Sequence, residues 1–270
     1  MTMALQPAAP EGRYRTKHVA KFELAKILTL RSSAIALGLT VFACLLVTGL
    51  VTHAALHQQF GYYVGFDPVQ TSLTGMVPAA LTGGVFGAVL VTGEYASGTI
   101  RTTLAAAPRR PFLLAVKVGV TALLLLAFFE VMSFASFFLG EAILSGGAPT
   151  ASLGSPGAAR AVLLTGLFIT LIALMSFGFG LVFRSTAAAI AAFVGVVFVL
   201  PLVMHGISPA AIRYLPPNIL VDSIMATVHL GRGGPGGYPP LSAGLGLLMM
   251  VVYAAIALTA GAVLFIRRDA

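Results

Sequence analysis

Residues 93–117 read GEYASGTIRTTLAAAPRRPFLLAVK, and they separate two long apolar runs. One glutamate, three arginines and one lysine fall within these 25 residues of a chain that is only 9% charged. Gly98 can break or bend a helix, and Pro108 and Pro111 bar one from continuing. Thr99 is placed to cap a new helix. The expected product is a short helix over 99–106, lying along a membrane surface between two crossings.

Composition supplies those crossings. The chain has 270 residues, 58% of them hydrophobic, and a mean hydropathy of +0.98. A soluble domain of this size would lack the surface charge that keeps it dispersed. About 20 apolar residues cross a hydrocarbon core of about 30 Å, and six such runs are present: 33–52, 76–93, 118–140, 161–183, 186–204 and 241–266. The fold class is therefore all-α and polytopic. A single six-span transmembrane domain covers 33–266, after a basic interfacial segment at 1–32 and before a short tail at 267–270. Polar and basic residues fill the start of the chain without an early apolar core, so the first span is expected to be an uncleaved anchor. Span two is loosened by Pro78, Gly83, Gly84 and Gly87, and its Gly83-x-x-x-Gly87 pair admits close helix approach. Cys44 is the only cysteine, which excludes an intrachain disulfide.

Lysine and arginine set the orientation. With the N-terminus inside, only Arg160, Arg213 and Arg232 of the 16 basic residues fall outside, leaving 13 within. Both termini are thus expected in the cytoplasm, with 94–117 as the major inner loop and Arg184-Ser185 as a tight inner turn. Basic residues flank the apolar runs instead of gathering on a soluble face, which argues against nucleic acid. On the outer side, Phe60, Tyr62, Tyr63 and Phe66 suit a headgroup belt. The segment 205–240 carries signals for short helices. Ser208-Pro209 starts one, and Asn218 is expected to cap a second that ends at Gly231. Leu220, Ile224 and Val228 form its apolar column, and these helices are expected to dip into the bilayer or cover the spans.

Within the inner loop, Ile100 and Leu104 share one side of the short helix and Arg101 points elsewhere. Arg109, Arg110 and Lys117 are expected to anchor the next span among lipid phosphates, Lys117 by snorkelling. Topology alone accounts for the arginines, but not for Glu94 and Gly98. The run Glu94-Tyr-Ala-Ser-Gly98-Thr99-Ile100-Arg101, followed by Leu104, Pro108, Arg110 and Lys117, resembles the signature loop of bacterial type-2 ABC exporter permeases. The resemblance extends over nearly the whole chain. It implies that Glu94, Gly98, Thr99, Ile100, Arg101 and Leu104 form a coupling helix seated on a separate ATP-binding subunit, present in two copies. It implies too that an N-terminal helix over 19–30 lies on the inner leaflet of a bacterial cell membrane and touches the same partner. ATP and magnesium would belong to that partner, and this chain would bind no cofactor. Proline in place of a bulkier residue at 111 implies a shortened lead into span three.

The residues themselves require a partner. No G-x-x-x-x-G-K-[ST] loop is present, and no glycine precedes any lysine. Leu144-Ser145-Gly146-Gly147 imitates an ATP-sensing signature but falls in an outer loop. Shifting a two-state transporter from 1:99 to 99:1 takes about 5.5 kcal/mol, which nothing in this chain supplies. Six spans are too few to enclose a large cavity, so a second permease subunit is expected, identical or paralogous. Drugs, antibiotics, peptides and lipids are the cargo classes such exporters handle.

Glu130, near the middle of span three, is the candidate on the substrate path. An ionised side chain there costs about 2.5–3.5 kcal/mol, so it should face the bundle or a wet cavity. It could instead be protonated, or bonded to Ser133, Thr165 or Thr170. A proton- or ion-coupled secondary transporter built on Glu130 is the competing function, and a non-transporting assembly factor a third. His53 and His57 share a helical face, but no spacing joins them to His205, His229 or Asp67, so no metal site is assigned. Glu141 and Arg160 bracket the second outer loop and are expected to be solvated. Ser176, Gly178 and Gly180 read as close packing.

Overall fold

A computed structural model describes residues 16–29, 31–57, 66–100, 110–224 and 241–267. Arg101, Leu104 and Arg109, the inner-loop helix beyond Ile100, the aromatics Phe60, Tyr62 and Tyr63, and Val228 lie outside the described residues. Every regular element among those described is helical. In chain order they are α1 (Thr16–Thr29), α2 (Arg31–His57), α3 (Pro68–Leu73), α4 (Val77–Ala96), α5 (Arg110–Leu144), α6 (Ala158–Phe183), α7 (Thr186–Val194), α8 (Leu200–Ile207), α9 (Pro209–Ile212), α10 (Pro216–Ile224) and α11 (Ala243–Arg267). Six stretches are long and apolar enough to cross a membrane: α2, α3 with α4, α5, α6, α7 with α8, and α11.

Helix α6 is the central post. Ile172 through Gly178 are buried without interruption, which a helix shows only when neighbours surround it. It packs against α4, α5, α7 and α11. Glycines set these distances. A Cβ on Gly87 would strike the carbonyl of Ala173, and one on Gly178 the backbone of Ala257, so both crossings need a residue without a side chain.

Helix α2 inverts the pattern of a soluble helix. Thr40, Cys44, Thr48 and Thr52 form a buried stripe at four-residue spacing. Ile35, Leu39, Phe42 and Leu50 face outward and are 60–65% exposed. Lipid tails are as apolar as leucine, so small and polar side chains make the inward contact. Thr48 and Ser136 share a hydrogen bond of 2.6 Å, and Ser136 donates to the carbonyl of Ser72 at 2.9 Å.

Two helices depart from the sequence reading. The helix that contains span three runs 35 residues from Arg110, about 52 Å, and so extends beyond 118–140 at both ends. Pro111 lies in its first turn, where a missing N–H costs nothing, so the shortened lead does not occur. Span five opens into a π turn at Gly195–Val199. Pro201 follows it and has no N–H for the carbonyl four residues back, and the widened turn absorbs that mismatch.

At the end opposite α1, α9 and α10 cover the bundle. Ile212, Ile219, Leu220 and Ile224 are buried there. Helix α10 starts at Pro216, ahead of Asn218. Asn218 is therefore not the cap; its side-chain amide donates to the carbonyl of Ile212 at 3.0 Å. Asp222 accepts the N–H of Leu241 at 3.0 Å, which joins α10 to the lead into α11.

Candidate functional site

Helix α4 ends where its sequence says it must. Ser97 closes the last turn, its N–H and hydroxyl both donating to the carbonyl of Gly93. Gly98 follows at φ +71°. Nothing would lie within 4 Å of a Cβ there, so the position needs glycine for its left-handed backbone and not for space. Helical conformation resumes at Thr99 and Ile100. This bend is the elbow, and three separate sets of contacts hold it.

The first is a buried charge cluster. Glu94, on the last turn of α4, meets Lys117 of α5 and Lys26 of α1. Lys117 also pairs with Glu23 of α1 at 2.9 Å. Glu23, Glu94 and Lys117 are each at most 4% exposed, and Lys26 is the wetter member, its side chain 23% exposed. Two carboxylates and two ammonium groups compensate one another, as burial of charge demands. Lys117 therefore does not reach for lipid phosphate. Its stem and charge turn inward, because α1 places Glu23 within reach at the same depth. Ile27 is buried one turn beyond Glu23, so that one face of α1 docks on the bundle while Phe22 and Leu24 face away.

The second contact is Ile100. It was expected to present itself to a partner along with Leu104. It is instead 3% exposed and packs into a small apolar cluster of the chain itself, with Val91, Leu114, Phe177, Leu181 and Phe265. Those residues come from α4, α5, α6 and α11, so the first turn after the elbow is keyed into four spans at once.

The third contact comes from the turn between α6 and α7. Arg184 adopts φ 54°, and its guanidinium lies over the Tyr95 ring at 5.3 Å. Thr186 donates to the Thr92 hydroxyl at 2.9 Å. The end of α4 is thus held from α1 and α5 through Glu94, and from α6 and α7 through Tyr95 and Thr92. Arg110 opens α5 and is half-buried.

Glu130 stands apart from this cluster, on α5 against Gly166 of α6. Its Oε2 is buried without a hydrogen-bond partner. Ser133, Thr165 and Thr170 do not serve it, because each hydroxyl donates to a backbone carbonyl. Glu141, expected in solvent, is only 8% exposed. It accepts from the Ser72 hydroxyl at 3.1 Å and from the N–H of Ala151 at 2.6 Å, tying the loop between α5 and α6 to α3. Arg160 is exposed. The His53 and His57 rings meet edge to face at 4.3 Å, and among the described residues no group of three metal-ligating side chains forms.

The sequence reading missed Glu23 altogether. It had one signal: Glu23 is the sole acid in α1, which also carries Lys17, Lys21 and Lys26. An acid kept in a basic segment asks for a partner.

A family model described as ABC-2 family transporter protein matches residues 18–270. The matched range takes in the helix that bears Glu23 and Lys26, the elbow and all six spans. No curated protein matches the chain.

Proposed function

The chain belongs to the ABC-2 transporter family, and from that premise we propose that it is the permease of an ATP-driven exporter whose motor subunit docks at the elbow. As a member of the family it is a multi-pass membrane component of an ABC transporter. The further reading is that two copies of an ATP-binding subunit bind residues 94–117 and α1 on the cytoplasmic side of a bacterial cell membrane. Two permeases, identical or paralogous, then form the pathway for an amphipathic cargo such as a drug, antibiotic, peptide or lipid. The short helices α9 and α10 lie on the outer face in this reading, re-entering the bilayer.

The single observation that carries the proposal is the threefold attachment of the elbow. A loop that only answered topology would need no buried charge cluster behind it. A segment that receives force must be stiff at its root, because displacement is otherwise lost in local bending. Motion applied beyond Gly98 is delivered through Ile100 and Glu94 to α1, α4, α5, α6 and α11 together, a rigid-body route between inward- and outward-facing arrangements.

Purification of the chain from its native host tests this. A soluble protein carrying G-x-x-x-x-G-K-[ST] should come with it, and export should require ATP. The unpartnered Oε2 of Glu130 favours one competitor, a proton-coupled transporter. If liposomes holding this chain alone accumulate cargo under a proton gradient, and Glu130→Gln abolishes that, the exporter proposal is wrong.

A further inference from the structure

Glu130 lies at the rim of the bundle, not in its interior. Ala127 is exposed, Val131 is 68% exposed and Leu163 of α6 is 50% exposed, and these residues flank it on both helices. Gly166 makes the notch in which the carboxyl group rests: a Cβ there would fall 2.7 Å from the Glu130 carboxyl carbon and 2.9 Å from Oε1. Polar groups that could have satisfied the acid are occupied elsewhere. Ser133 donates to the carbonyl of Val162 at 2.7 Å, Thr165 to that of Ala161 at 2.7 Å, and Thr170 to that of Gly166 at 2.9 Å.

The basic residues described on these two helices stand well away from the acid. Among the described residues, Lys117 stands 13 positions along α5 from Glu130, about 20 Å, and is committed to Glu23 and Glu94. Arg160 lies six positions from Gly166 along α6, about 9 Å nearer the helix end. Arg110 and Arg184 are at the far ends of the same two helices. An ionised carboxyl group accepts and does not donate, so a donor completes this site, and a donor that carries its own positive charge also balances the acid where no described cation of the chain stands beside it. Oε2 is buried without a hydrogen-bond partner, and the close approach of Gly166 to the carboxyl group leaves a narrow space, which suits a compact ammonium group better than the planar fork of a guanidinium. The flanking Val131 and Leu163 ask that the rest of the ligand be apolar.

We infer that the notch at Glu130 and Gly166 binds an ammonium group borne on an apolar body and reached sideways from the lipid. Taking that ligand as exported cargo rests on the function proposed above. An amine-bearing lipid headgroup offers the same chemistry, and its place at the interface lies nearer the level of Arg160.

The test is protection from N,N′-dicyclohexylcarbodiimide, which modifies carboxyl groups in apolar surroundings. The full-length chain in phosphatidylcholine nanodiscs is treated with the reagent, and modification of Glu130 is read by peptide mass spectrometry. Dodecylamine should protect Glu130 at a concentration at least tenfold below that needed for dodecanol. Protection should also fall at least tenfold in Gly166→Ala, which crowds the notch but keeps the acid. If discs containing phosphatidylethanolamine protect as fully as dodecylamine, the ammonium comes from resident lipid and the site stands. Equal protection by amine and alcohol overturns the inference, as does failure of the reagent to reach Glu130. Absence of any ATP-binding partner would leave this result untouched and would sink the exporter proposal alone.

Discussion

Replacing Lys117 by methionine keeps the stem that packs in the bundle and removes the one charge that touches both buried glutamates. The cluster changes from two acids and two bases to two acids and one base. Glu23, at 3% exposure, is left without its cation. Breaking a buried pair by removing one partner costs about 3–5 kcal/mol. Even the lower figure is a change of more than about a hundredfold in the docking equilibrium of α1. The double variant Glu23→Gln with Lys117→Met leaves Lys26 facing Glu94, one charge of each sign, and should recover most of the loss. Docking can be read at Ile27, which is 6% exposed. In a background where Cys44 is alanine, a cysteine at Ile27 reacts with maleimide only when α1 lifts away. The expected order is slow for the parent, about a hundredfold faster for Lys117→Met, and within about tenfold of the parent for the double variant. If the single variant labels as slowly as the parent, or the double labels faster than the single, the compensated-charge argument fails.

Other substitutions separate causes in the same way. Gly98→Ala meets no steric obstacle but must hold φ +71°, at about 1–2 kcal/mol; export should fall with expression unchanged, and Gly98→Asn should be milder than Gly98→Val. Gly87→Ala drives a methyl into the Ala173 carbonyl while Gly93→Ala finds open space, so detergent thermal scans should show a loss for the first and little change for the second. Burial raises the Asp222 carboxyl above its ordinary range, against the opposing N–H of Leu241 and the charge of Arg213. A raised folded-state value contributes stability that is full below the unfolded pKa and is lost as pH rises through the folded one. Thermal midpoints measured from pH 4 upward should therefore decline through that window in the parent, and the decline should be shallower in Asp222→Asn.

Hydropathy made the six crossings legible, because each must run about 20 apolar residues whatever its neighbours do. The bend at Gly98 was legible for the same kind of reason: the glycine acts through its own backbone. The attachments were not. Glu23 and Lys117 are 94 positions apart, and nothing local distinguishes a lysine that reaches lipid phosphate from one that turns inward to a carboxylate. Ile100 and Leu104 looked alike on a helical wheel, yet Ile100 is swallowed by side chains from four spans. Glu141 misled because it is polar and near a loop, while Ser72 reaches it from 69 positions away and the following loop folds back to offer the N–H of Ala151. Such pairings belong to tertiary packing, which a single sequence does not display.

The charge cluster also bears on how the polypeptide is made. A ribosome delivers Glu23 first, Glu94 next and Lys117 last, so both acids are already at the membrane when the lysine of the third crossing emerges. That lysine can partition toward waiting carboxylates and never needs to lie bare in hydrocarbon. Removing the first 29 residues should accordingly hinder insertion of the third crossing, although those residues belong to no crossing themselves.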